Sequence, residues 1–101
     1  MEEENKTAEE NKVENQFLDE PIPVKDLVLM TILSLEGKAW AYLDLIAHPE
    51  TQKHKKDLKE AKLAIDAIEV LYKLVEGQLS TEENKDMQIR LTNLRLNFVK
   101  K

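Results

Sequence analysis

The chain has no cysteine, which removes disulfides, thiolate nucleophiles and thiolate-ligated metals at once. Glycine occurs twice and proline three times in 101 residues, too few for a loop-rich or many-turned β fold. Aromatic residues make up 5% of the chain, and none is interleaved with the lysines of the Lys53–Lys62 segment, which argues against nucleic-acid binding there. No apolar run is clean enough to span a membrane. Leu27 to Ile46 has about the right length, but Glu36, Lys38 and Asp44 interrupt it, each at a cost of roughly 2.5–3.5 kcal/mol near a bilayer centre. The start is acidic and polar, without the basic residues and apolar stretch of a secretory signal. A cytoplasmic location is therefore expected.

A field of one sign is also missing from the body of the chain. Residues 1–20 carry eight acidic groups against Lys6 and Lys12, whereas residues 21–101 carry twelve acidic and thirteen basic groups. The formal charge of −5 thus belongs to the tail. A nearly neutral body exerts little pull on nucleic acid or an anionic membrane.

What is present is helical. Residues 1–20 are rich in Glu, Asn and Lys, with Val13, Phe17 and Leu18 as the large apolar exceptions. Such a segment buries too little to offset its ordering entropy, so a disordered acidic tail is expected, either solubilising or, through Phe17 and Leu18, recruiting. Pro21 and Pro23 hold the next stretch extended. From residue 21 a single all-α domain is expected, with helices over about 24–46, 57–76 and 81–99.

The first of these is apolar nearly all round: Leu27, Val28, Leu29, Met30, Ile32, Leu33, Leu35, Trp40, Leu43 and Ile46 cover more than one face. That marks a long, largely buried helix. Pro49 bars helix at His48, and a long connection over Ala47–Lys56 follows, the kind of segment that often carries function. The second helix presents Leu58, Ala61, Ile65, Ile68, Tyr72 and Val75 on one face. Leu63, Ala67, Val70 and Leu74 form another face beside it. Lys59, Lys62, Asp66, Glu69 and Lys73 make its polar stripe.

Gly77 stands where a helix commonly ends in a left-handed residue, and Ser80 with Glu83 reads as a capping box. So short a connection implies an antiparallel hairpin of the second and third helices, packed against the first. Met87, Leu91, Leu94 and Phe98 form the inward stripe of the third helix, leaving Ile89 and Leu96 on the opposite side.

The ordered set Pro49, Thr51, Asp57-Leu58, Ala61-Lys62, Ile65-Asp66, Leu71, Gly77, Leu79-Ser80 and Glu83, with Ser34-Leu35, Ala39 and Leu43 before it, resembles a family of small, mainly bacterial proteins. The family is known only as domain of unknown function 1844. The resemblance covers about Leu29 to Val99 and implies an all-helical domain without importing an activity. Three positions depart from it. The family tends to glycine at the places of Asp44 and Gln52, and to a Gly-Asn turn where this chain has Gly77-Gln78. If those glycines serve a special backbone conformation, the first connection would differ here.

Chemistry is sparse. His48 and His54, near Glu50 and Asp57, are weak metal candidates at a spacing that matches no standard zinc pattern, so neither metal nor cofactor is expected. Lys53, Lys55, Lys56 and Lys59 are a candidate anion contact ahead of the second helix, broken by Asp57 and Glu60. Asp66 lacks a second converging group for acid–base work. Ser34 has no histidine or lysine at readable spacing to activate it. An enzyme or metal-binding role ranks third.

The function that best fits is a non-enzymatic, self-associating interaction or scaffold protein. A core of about 70–80 residues seldom nets more than 3–5 kcal/mol, and two helices with spare apolar faces want company. The candidate interface residues are Trp40, Leu63, Val70, Leu74, Ile89 and Leu96, with a homodimer or higher homo-oligomer as the expected state and an unidentified protein partner as a further one. The alternative is a nucleic-acid or ribosome-associated accessory protein using the Lys53–Lys62 segment.

Overall fold

The computed structural model describes residues 17–101; for residues 1–16 the expected disorder of the acidic tail lies outside the described residues. Three helices follow an irregular, exposed lead-in over residues 17–23: α1 over Val24–Tyr42, α2 over Leu58–Val75 and α3 over Thr81–Lys100. Among the described residues there is no strand.

α1 begins after Pro23, which takes the N-cap position in an extended conformation, with Asp26 in the first turn at the positive end of the helix. It stops at Tyr42, four residues short of the expected Ile46. The stop is a Schellman turn. The Leu45 N–H donates to the carbonyl of Trp40 at 3.1 Å and the Asp44 N–H to that of Ala41 at 2.9 Å, with Asp44 left-handed at φ 69°. Proline at 49 was not needed to end the helix.

α2 and α3 begin within a residue of expectation because their caps are encoded locally. The Asp57 carboxylate accepts from the N–H groups of Lys59 and Glu60 at 3.1 and 3.3 Å. Ser80 and Glu83 close the capping box in both directions, at 2.9 and 3.1 Å.

Between them, Gly77 does not take the left-handed conformation expected of it. No glycine has a positive φ, and α2 runs out instead through a 3-10 turn over Glu76–Gln78. The physical reason is Asn84. Its side-chain N–H₂ donates to the carbonyls of Glu76 and Leu79 at 3.2 and 3.3 Å, and its Oδ1 accepts from the Tyr72 hydroxyl at 2.9 Å. A side chain thus does what a left-handed residue would otherwise do for the helix end.

The three helices alternate in direction, with α2 in the middle. Tyr72 faces Asn84 and Gln88, while Glu69 pairs with Arg95, which fixes the α2–α3 hairpin as antiparallel. The more extensive pairing, however, is between α1 and α2. Alanines from both helices (Ala39, Ala61, Ala64) sit in the core with Ile32, Leu43, Ile65, Ile68 and Tyr72, and small side chains let helix backbones approach closely. Met87, Leu91 and Leu94 complete the core from α3. α1 and α3 meet at the Glu36–Arg90 ion pair, 3.3 Å, and across a shallow groove lined by Leu29, Leu33, Leu79 and Met87.

The apolar residues of α1 divide accordingly. Ile32, Ala39 and Ala41 are buried within the single chain, while Val24, Leu27, Met30 and Leu33 face solvent.

Candidate functional site

The connection between α1 and α2 is built around one buried imidazole. His48 is 4% exposed, the one buried residue among those described that is not hydrophobic. Lys38 Nζ lies 2.8 Å from its Nδ1, and its Nε2 lies 2.9 Å from the carbonyl of Lys55. A lysine ammonium can only donate and a carbonyl can only accept. Nδ1 is therefore the acceptor and Nε2 carries the hydrogen. Both ring nitrogens are spent on holding the loop.

The surroundings reinforce this arrangement. The His48 ring meets Tyr42 edge-on with centroids 4.4 Å apart, and Lys38 Nζ lies 4.9 Å above the Tyr42 ring, within cation–π reach. Lys38 also donates to Glu50 at 2.6 Å, and that hydrogen bond holds the Glu50 carboxyl below the usual carboxylate range. The backbone closes a tight turn beneath: the His48 N–H donates to the carbonyl of Lys53 at 2.9 Å, and the Gln52 N–H donates to that of His48 at 2.7 Å. The Asp57 N–H reaches the Tyr42 carbonyl at 3.0 Å, joining the end of α1 to the start of α2.

Asp44 and Gln52, the positions where the resembling family tends to glycine, are the two non-glycine residues with positive φ among the described residues, 69° and 62°. The connection keeps the left-handed conformation without the glycines. Asp44 is further held by His54, whose Nδ1 lies 3.1 Å from its Oδ1.

His48 and His54 therefore have separate partners and do not converge. Among the described residues no group of three or more His, Asp or Glu is placed to hold a metal ion. Lys53, Lys55, Lys56 and Lys59 are all exposed, but the first N–H groups of α2 that an anion would use are taken by the Asp57 carboxylate. Asp66 pairs with Lys62 at 2.7 Å on the polar stripe.

Of the interface candidates, Trp40 packs half-buried against the core. Leu63, Val70, Leu74, Ile89 and Leu96 all face solvent, between 53% and 68% exposed. Lys38 and Asn84 were not singled out from sequence. Lys38 had a signal: it is the one lysine or arginine between Lys25 and Lys53, and a lone ammonium in an apolar helix needs a partner. Asn84 had none.

Comparison with known proteins identifies a family. The model described as Domain of unknown function (DUF1844) matches residues 25–100. No curated protein and no solved structure matches the chain. No helix among the described residues is long and apolar enough to cross a membrane.

Proposed function

The chain belongs to the family described as Domain of unknown function (DUF1844); because that description carries no activity, we propose a role from the surface itself, that of a non-enzymatic interaction protein that assembles with copies of itself. One observation carries this reading. Leu63, Val70 and Leu74 stand 63%, 61% and 68% exposed along one side of α2, in a domain whose core is already filled by other residues of the same helix. Apolar surface gathered in this way marks an association site. Covering each such side chain is worth about 1–2 kcal/mol at this exposure. The histidines, the side chains best suited to acid–base work near neutral pH, are engaged with Lys38, Lys55 and Asp44 instead.

Light scattering on the purified chain tests the reading. A mass of at least twice 11.7 kDa is expected, falling to the monomer value in Val70→Glu. A wild-type monomer across the micromolar range would overturn it. The alternative, a nucleic-acid contact through exposed Lys53, Lys55, Lys56 and Lys59, predicts RNA binding that weakens steeply as salt rises. Asp44, Glu50 and Asp57 on the same connection oppose it.

A further inference from the structure

The exposed Leu63, Val70 and Leu74, with the half-buried Ala67 between them, are spaced as a helix-pairing seam. Leu63, Ala67, Val70 and Leu74 follow one another at intervals of four, three and four residues, the d–a–d–a spacing of two helices packed side by side. At 100° per residue they fall within about 60° of arc, turned away from the buried Ile65, Ile68 and Tyr72. On one flank the strip continues into a groove against α1 lined by Leu35, Tyr42 and Ala64. On the other flank stand Asp66 and Lys73, seven residues apart and opposite in sign, at the same position of successive heptads. Lys62 donates to Asp66 Oδ2, and a carboxylate has a second oxygen that can accept from a further donor.

We propose that α2 pairs with α2 of a second copy, antiparallel, about a twofold axis passing between Ile68 and Glu69. This rests on the self-association reading and names the surface and orientation. In that register Leu63 faces Leu74 of the second copy, and Ala67 faces Val70, small against larger. Asp66 falls beside Lys73 of the second copy, and the twofold repeats every contact.

Parallel pairing would set the same two charges against Leu71 and Gln78 and leave both without a partner. Charge complementarity therefore selects the antiparallel arrangement, and its self-matching selects a second copy as the occupant. α3 offers no equal seam, since Thr92 and Asn93 stand between Ile89 and Leu96.

The absence of native cysteine makes the test direct. Full-length Leu63→Cys and Leu74→Cys variants, both at exposed positions, are oxidised separately and as a mixture. The antiparallel register sets two copies of position 63 about 16 Å apart along the helix, beyond disulfide reach. Cross-linked dimer is expected in the mixture and not from either variant alone. A second measurement reads the charges by sedimentation equilibrium. Asp66→Lys and Lys73→Asp should each weaken the dimer roughly tenfold, and the double swap should return it to wild-type affinity.

An oligomer that shows no mixed cross-link, that cross-links as readily through Leu63→Cys alone, or that the double swap fails to restore would overturn the antiparallel seam and leave self-association standing. A wild-type monomer would overturn both.

Discussion

Lys38 and His48, ten residues apart in sequence, meet at 2.8 Å where α1 ends and its connection folds back. The contact turns a helix lysine into the fastener of a loop, since the same ammonium also holds Glu50 and covers Tyr42. His48→Ala would leave the Lys55 carbonyl and the Lys38 ammonium without their shared partner. A loss of about 2–3 kcal/mol in urea unfolding is expected. His48→Gln, which offers an acceptor and a donor on one side chain, should recover part of it. An alanine variant within 0.5 kcal/mol or so of wild type would show that the turn closes without the imidazole.

Gln52 takes a conformation that suits glycine better. A left-handed residue with a Cβ is strained by about 1–2 kcal/mol, part of which glycine returns through its freedom in the unfolded chain. Gln52→Gly should therefore stabilise by about 0.5–1 kcal/mol in the same measurement. Asp44→Gly should gain less, because the His54 contact it gives up, at 3.1 Å, is closer than the 3.3 Å bond from Gln52 Nε2 to the Pro49 carbonyl lost in Gln52→Gly. If Asp44→Gly were the larger gain, the His54 contact would contribute nothing.

Gly37 sits in the interior of α1, and a Cβ added there meets nothing within 4 Å. Alanine at this site keeps the helix and removes the entropic penalty of glycine, for a gain of about 0.5–1 kcal/mol. Thermal unfolding reads it as a raised midpoint. A lowered midpoint would mean that this side of α1 is covered closely by another molecule, which a monomer-forming variant such as Val70→Glu would help to locate.

Glu83 gives the stability of α3 a dependence on acid. The Ser80 N–H that it accepts holds its carboxyl below the ordinary value of 4.5, with Lys25 adding to the effect. A carboxyl depressed in the folded state contributes fully above its unfolded value, and the contribution fades as pH falls through the folded one. Glu83→Gln keeps a side-chain acceptor and removes the titration. The difference in urea midpoint between the two proteins should be present at pH 7 and shrink as pH falls below 4.5. A difference unchanged over that range would assign the stabilisation to the hydrogen bond alone.

The helices were legible where their signals are local. Asp57 and the Ser80–Glu83 pair mark the starts of α2 and α3 within a few residues of themselves, and the exposed face of α2 follows from its narrow charged stripe. The end of α1 was not legible, because its left-handed position holds Asp44 in place of glycine. Gly77 misled for the complementary reason, since Asn84, seven residues on, satisfies the carbonyls that a left-handed glycine would have served. The loop site depends on Lys38 meeting His48 across a reversal of chain direction, and no residue spacing along a single helix encodes such a meeting.

The unequal pairing of the three helices also sets the order in which the molecule opens. α1 and α2 share the alanine-lined core and are tied by the Tyr42–Asp57 backbone bond. α3 leans on α2 through Met87, Leu91 and Leu94 and is pinned at Asn84, Arg90 and Arg95. In amide exchange the chain should divide into two cooperative units, with α3 the faster. Release of α3 would bare Ile68 and Tyr72 while the outward strip of α2 stayed in place. The same helix would then offer one permanent contact surface and one that exists only while its neighbour is away.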